Sequence, residues 1–299
     1  MIKTLIGKND YLFLINDSNK ELDIHVNGFT QVNQDSFKKY EKYLDKFLIF
    51  IYPDKSYHLK KFLPDNINSQ YRPGFLLYKE YFKDKIFDFT EILKHIGDEP
   101  FYKTDTHINF LGGYYSNYYF IEQINIFFKM NINFTKLNIN KKNVCLLNLK
   151  LGIGDLLFKE NIGDLVIDNI IDTYYYTDDI PYFYTKYLID NNEEIIYDNT
   201  KFFFIKAENN KIVDYTTKLI GNYANWDIIS KYIIFVENES IKNNNKILIF
   251  YDSFLLHSIQ LYFNLFKYTF FSKTCFSHEI IEILKPDYIF EFRVERFLN

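Results

Sequence analysis

The sequence predicts an α/β protein built on a mainly parallel sheet, and three observations lead there. Residues 246–294 alternate apolar runs of strand length with segments of helical periodicity. Residues 36–52 give a helix followed by a wholly apolar run, the first half of an α/β layer. A chain of 299 residues with 47% apolar content can bury a large core without a disulfide or metal staple.

Taken in order, Asp10 to Asn16 reads as a strand entering a turn at Asn16-Asp17-Ser18-Asn19. "SFKKYEKYLDKF" (36–47) spaces aromatic and apolar residues at helical intervals. "LIFIY" (48–52) is short, apolar and stopped by Pro53, which predicts a strand buried on both faces. Residues 91–96 predict a short helix ending at Gly97. Residues 110–128 predict a longer one whose first turn is weakened by Gly112-Gly113. "KNVCLLNLKLG" (142–152) reads as a strand. The stretch 165–240 carries β-like runs, "KFFFIKA" (201–207) and "KYIIFVEN" (231–238), split by polar turns. Neither a repeat nor a Pro/Gly/Ser linker divides the chain, so residues 1–299 are expected to form a single domain with a β-rich insertion at about 165–240. The end is the clearest part. A strand (246–251), a helix (254–266), a strand (268–272), a helix (278–285) closed by Pro286 and a strand (288–294) imply parallel strands and right-handed crossovers.

Composition excludes some classes of function. A net charge of −4 with interspersed signs gives no basic footprint for nucleic acid. No uncharged window of about 18 apolar residues predicts a membrane span. The stretch before ordered-looking sequence is too short for a signal peptide, so a native start at Met1 predicts a cytoplasmic protein. Only three of the 35 basic residues are arginine, Arg72, Arg293 and Arg296, and the last two fall within four residues near the C-terminus, a pair that points to a geometric role that lysine cannot fill. Cys145 and Cys275 lack metal-ligand spacing and read as buried free thiols.

Two stretches carry chemistry. "YDSF" (251–254) sets Ser253 at the C-terminal end of a predicted parallel strand and at the mouth of a helix, where open α/β sheets place ligands. There a hydroxyl projects from the sheet and its own N–H can meet an oxyanion. The alternative is that Asp252 or Ser253 is a helix N-cap. "FYKTDTHINFLGG" (101–113) sets Asp105 two residues before His107. A serine needs a base to become a nucleophile, an imidazole supplies one, and a carboxylate fixes its tautomer. Asp105, His107 and Ser253 therefore predict a triad in the order Asp…His…Ser. A metal at Asp105 and His107 is not expected, because no third ligand is evident.

The motifs resemble those of the SGNH-hydrolase-like O-acetyltransferases of the AlgJ/AlgX type, which acetylate alginate and other polysaccharides. "GKNDYLFL" (7–14) resembles the family's Gly-Lys-Asp-Gly-Trp-Leu-Phe-Leu opening, and "YPDK" (52–55) its Pro-Asp-Lys after the first buried strand. "YKTDTHINFLGGY" (102–114) resembles its Tyr-x-x-Asp-Thr-His-Trp-Asn-x-x-Gly, and "GDL" (154–156) has a counterpart. "ILIFYDSF" (247–254) and "KPDYIFEFRVERFL" (285–298) resemble its last two motifs. Ile108 departs from the family's Trp, Tyr251 from its frequent Gly, and Asn9-Asp10-Tyr11 from its Asp-Gly-Trp. The resemblance implies a three-layer SGNH-like fold, circularly permuted so that the serine comes late. It implies Ser253 as nucleophile, His107 as base and Asp105 as its orienter, with a carbohydrate acceptor, a small-group donor and no bound cofactor.

Four neighbouring readings stay open at this level. Asn109 contacts substrate or oxyanion, or caps the helix that follows. Lys55 binds an anionic donor or sugar acid, or is a surface lysine. His257 borders the site, or lies on a helix face. Glu295 and Arg296 read as a structural ion pair tying down the last strand. The expected activity is transfer of an acyl group to a sugar hydroxyl. The alternatives are transfer of a phosphoryl-type group to capsular sugar, carbohydrate esterase activity, and a non-catalytic carbohydrate-binding module.

Overall fold

The computed structural model describes residues 3–15, 17–145, 155–156, 171–179, 200–208, 211–214 and 233–298. The chain opens with an antiparallel pair, β1 (Lys3–Ile6) and β2 (Leu12–Ile15). A second separate pair is β5 (Asn140–Cys145) with β6 (Ile171–Tyr176). Among the described residues, the remaining strands form one sheet of eight: β3 (Phe47–Tyr52), β4 (Ile86–Asp88), β7 (Thr200–Glu208), β8 (Lys211–Asp214), β9 (Ile233–Asn238), β10 (Lys246–Tyr251), β11 (Tyr268–Ser272) and β12 (Tyr288–Val294). Its order is β4-β3-β12-β10-β11-β9-β7-β8. The run from β4 to β11 is parallel throughout, and β9, β7 and β8 continue it antiparallel.

Side chains of β3 alternate between two cores, as the pleat requires. Leu48, Phe50 and Tyr52 meet α5 (Phe110–Phe128), α4 (Thr90–Ile96) and the short α6 (Ser253–Leu256). Phe47, Ile49 and Ile51 meet the 3₁₀ segment Gln34–Tyr43, α3 (Pro73–Phe82) and α7 (His278–Leu284). All six residues of β3 are buried, as expected of a parallel strand covered by helices on both sides. The result is a mixed α/β fold with a mainly parallel central sheet between two helical layers.

Three local expectations change. Residues 34–43 are 3₁₀ rather than α, because Phe37, Tyr40 and Tyr43 recur every third residue and so share one buried face at three residues per turn. The helix expected over 254–266 is two short pieces, α6 and a 3₁₀ turn Ile259–Tyr262, parted at Ser258. Ser258 is fully buried where Gly113 of α5 crosses it, and any Cβ on Gly113 would occupy the space of the Ser258 side chain. The glycine that weakens a helix in isolation is what lets this helix approach so closely. Finally, Cys275 is exposed rather than buried, since it lies just past β11 in a turn. Of the strand read over 142–152, residues 146–152 lie outside the described residues, as does much of the stretch 165–240.

Candidate active site

The carboxyl ends of β3, β12 and β10 lie side by side in the sheet, and each leads into a functional segment. Beyond β10, Asp252 is the N-cap of α6. Its Oδ1 accepts the Phe254 N–H at 2.9 Å and its Oδ2 the Val294 N–H at 2.6 Å. Burial raises the Asp252 pKa against the lowering influence of Arg293, Arg296 and those two amides. With Asp252 as the cap, the hydroxyl of Ser253 is released from capping. It points to His107, with Oγ 2.8 Å from Nε2. On the other side of the ring, Nδ1 lies 2.6 Å from Asp105 Oδ1. Nδ1–H donating to the carboxylate leaves the Nε2 lone pair to accept from the serine hydroxyl.

Asp105 is held tightly. Besides the ring, its Oδ1 accepts the His107 backbone N–H at 2.9 Å and its Oδ2 accepts the Asp155 N–H at 3.0 Å. Burial alone would raise its pKa. The hydrogen bond and charge of His107 and the Asp155 amide outweigh burial and hold it well below the usual carboxylate range. It therefore stays ionised at neutral pH.

The loop carrying these groups is braced at nearly every backbone position. Lys103 N–H, Thr104 N–H and Thr104 Oγ1 donate to the buried Asp172 carboxylate at 2.8–3.1 Å. Thr106 N–H and Oγ1 donate to the Asp155 carboxylate at 2.8 and 2.9 Å. Leu12 N–H of β2 donates to Lys103 O at 2.9 Å, and Leu156 N–H to Thr104 O at 3.2 Å. Asp155 belongs to the "GDL" stretch already singled out in the sequence. Asp172 carries no sequence signal, since an aspartate in a polar strand reads as solvated.

The flanking candidates sort as follows. Asn109 is the N-cap of α5: its Oδ1 accepts the Gly112 N–H at 3.1 Å, its Nδ2 donates to Glu99 O at 2.5 Å, and it is buried. Lys55 is neither a surface lysine nor turned toward an open ligand site. It begins α2 (Lys55–His58), is only 1% exposed, and its ammonium donates to Lys103 O and Asp105 O at 2.8 and 2.9 Å. His257 borders the site: its ring lies 4.9 Å from the His107 ring and 5.6 Å from Tyr102. Burial pushes its pKa down to about 4, so it is neutral at pH 7. It is also the third donor missing from the sequence reading, with ligand atoms of Asp105, His107 and His257 all within 4.8 Å. Both nitrogens of His107 are nonetheless engaged, one by Asp105 and one by Ser253, which is the arrangement of a proton relay.

Glu295 and Arg296 are ion-paired, but not to each other. Glu295 accepts from Arg72 Nε at 2.6 Å, and Arg72 also binds Asp88 at the end of β4. Arg296 donates to Glu21 of α1 (Glu21–Asn27) at 2.8 Å and to Asp54, whose other oxygen meets His25 Nε2 at 3.0 Å. Arg293 pairs with Glu291 at 2.8 Å. All three arginines are thus buried and paired.

The class defined so far is an α/β protein with a serine, a histidine and an aspartate hydrogen-bonded in series at the carboxyl edge of a parallel sheet. No protein-family model and no curated protein matches the chain by sequence. Solved structures do. Bacillus cereus PatB1 aligns at TM-score 0.60 and 13% identity, covering 100% of this chain and 98% of that one. A DHHW family protein from Eubacterium siraeum aligns at TM-score 0.61 and 14% identity, covering 99% and 95%. The O-acetyltransferase domain of Pseudomonas putida AlgJ aligns at TM-score 0.54 and 9% identity, covering 100% and 92%. At such identities the likeness is one of fold. The AlgJ-type resemblance read from the motifs is thus matched by a shared fold along the whole chain.

Proposed function

We propose that the chain is a serine-dependent transferase that moves an acyl group, acetyl in the first instance, onto a sugar hydroxyl of a surface polysaccharide or its precursor. The observation that carries this reading is the hydrogen-bond series from Asp105 through His107 to Ser253 at 2.6 and 2.8 Å. The fold shared with an O-acetyltransferase domain supports the choice of acetyl transfer to oxygen, and the motif resemblance supports the choice of a sugar as acceptor. In the same reading, the late position of Ser253 is a circular permutation of the SGNH order, with about 165–240 as an insertion.

The reaction follows from the geometry. His107 Nε2 takes the Ser253 proton as Oγ bonds to the acyl carbon, and the carbonyl electrons move onto oxygen. As the first residue of α6, Ser253 has a backbone N–H with no acceptor within the helix, so it can donate to that oxyanion. The tetrahedral species collapses, and His107 returns its proton to the leaving group. In the second half, a sugar hydroxyl gives its proton to His107 and attacks the acyl-serine. Collapse releases the acylated sugar and reprotonates Ser253. Base catalysis of this kind contributes about 10²–10⁴-fold.

Water in place of the sugar makes the same centre an esterase. The side chains of His107 and Asp105 are 15% and 16% exposed, so solvent reaches the relay and hydrolysis competes. The test is to quench the protein with an aryl acetate and map the acetylated peptide, then add oligosaccharide acceptors. The expectation is one acetyl group on Ser253, passed to the acceptor faster than to water, with no turnover in Ser253→Ala or His107→Ala. Wild-type turnover in either variant overturns the assignment, and hydrolysis unaffected by any acceptor favours the esterase.

A further inference from the structure

We propose that Lys55 is a positioning residue for this reaction, holding the 103–105 strip in the conformation that lets Asp105 and His107 meet Ser253. The inference rests on the catalytic reading of those three groups. Lys55 touches none of their reacting atoms. Its ammonium instead bridges the carbonyls of Lys103 and Asp105, two residues apart in the strip. The intervening Thr104 gives its N–H and hydroxyl to Asp172. The strip is therefore held through both kinds of backbone group, carbonyls by a cation and amides by carboxylates, and the backbone of Asp105 has little freedom to rotate its side chain away from His107.

The surroundings favour a cation here but do not make it comfortable. Asp172, Asp105, Asp155 and Glu21 face the ammonium and favour its charge. Tyr11 and Phe13 of the N-terminal hairpin segment present their rings at 5.6 and 5.5 Å, and the Lys103 ammonium lies over the same Tyr11 ring at 5.4 Å. Burial outweighs these carboxylates and pushes the Lys55 pKa down to about 8. Two carbonyls that face an ammonium below that pH face a neutral amine above it, and charge-assisted hydrogen bonds are roughly twice as strong as neutral ones. The clamp should therefore slacken in mildly alkaline solution.

Lys55→Met keeps most of the stem and removes the donor; Lys55→Arg keeps a charge that does not titrate. Lys55→Met is expected to lower kcat by about ten- to a hundredfold, the scale of a small misplacement of reacting groups, with KM within about twofold. Labelling of Ser253 by phenylmethanesulfonyl fluoride should slow in parallel. Wild-type kcat should fall above about pH 8, and Lys55→Arg should move that fall upward by at least about one pH unit. Wild-type kcat and labelling in Lys55→Met overturn the proposal. If that variant does not fold, a wild-type kcat that stays flat to about pH 10 overturns it. Should wild-type Ser253 itself resist both acetylation and labelling, the catalytic reading fails first and this one with it.

Discussion

Replacing Asp105 by Asn keeps the size of the side chain and removes its charge, and the structure gives the consequence atom by atom. The carboxylate accepts three N–H groups: His107 Nδ1 at 2.6 Å, His107 N at 2.9 Å and Asp155 N at 3.0 Å. An amide has one accepting oxygen and one NH₂. If its oxygen takes the Oδ2 place and keeps the Asp155 N–H, NH₂ takes the Oδ1 place, where it faces the His107 backbone N–H and Nδ1, and the ring then carries its proton on Nε2. That proton points at Ser253 Oγ, 2.8 Å away, and the imidazole can no longer accept from the hydroxyl. If the oxygen stays on Nδ1, the Asp155 amide loses its acceptor and the imidazolium formed in the reaction loses its counter-charge. Either way transition-state stabilisation is lost. Substitutions of this kind cost on the order of 10⁴ in kcat, or about 5 kcal/mol. The assay is turnover of an aryl acetate at neutral pH, with thermal melting as a control for the fold. Asp105→Asn should lose about three to four decades in kcat with a melting temperature close to wild type. Activity within tenfold of wild type would refute the orienting role and the tautomer assigned to His107.

Two further predictions concern stability. Burial opposes the charge of His25, but the hydrogen bond and charge of Asp54, with Glu295 and Tyr71 O, raise its pKa to about 9. A raised histidine contributes stability that is complete below its unfolded pKa near 6.5 and lost as pH rises through about 9. That amounts to about 3 kcal/mol. Urea unfolding of wild type and His25→Gln should show the gap between them shrinking by that order from pH 6 to pH 10, a comparison in which the opposite linkage of Lys55 cancels; a constant gap contradicts the protonated assignment. Gly113→Ala should destabilise by about 1–3 kcal/mol, because the new methyl meets the Ser258 side chain and α5 must move off the sheet. An unchanged melting temperature would show that the crossing is looser than described.

Much of the site was legible because its chemistry is local. Asp105 and His107 are two residues apart, and Ser253 follows a strand whose bounds, 246–251, could be read from an apolar run. The strands 268–272 and 288–294 and the helix 110–128 were legible for the same reason, each being a sustained single-period pattern. What was not legible depends on partners distant in sequence. Lys55 looks like a surface lysine until Lys103 and Asp105 are folded over it. His25 shows no pattern, since its partners are Asp54 and the Tyr71 carbonyl. The break at Ser258 cannot be seen in "FLLHSIQLYFNLF", whose helical period is intact. It follows from the crossing of α5 at Gly113, a tertiary contact that overrides local propensity.

The charged residues behind the site raise a separate question, because buried ion pairs are weak sources of net stability: desolvation consumes about as much as attraction returns. Geometry is the better explanation. The Arg296 guanidinium binds both Glu21 and Asp54, while its backbone N–H donates to the second Asp54 oxygen at 2.9 Å. That fixes the end of β12 against the residue immediately before Lys55. Two residues earlier, Val294 N–H donates to Asp252, the cap that sets the direction of α6 and hence of Ser253. Arg72 ties Glu295 to Asp88 at the end of β4, on the far side of β3 from β12. The carboxyl ends of four strands are thereby registered to one another by directional contacts, in a region where apolar packing alone would leave rotation and sliding free. A lysine at position 72 would supply the charge but not the planar fork that spans Glu295 and Asp88. Arg72 and Arg293 each hold two acceptors on different guanidinium nitrogens, Glu295 and Asp88 for the first, Glu291 and the Thr274 carbonyl for the second, while Arg296 reaches its two carboxylates through one nitrogen; the network they build supports the edge on which serine, histidine and aspartate meet.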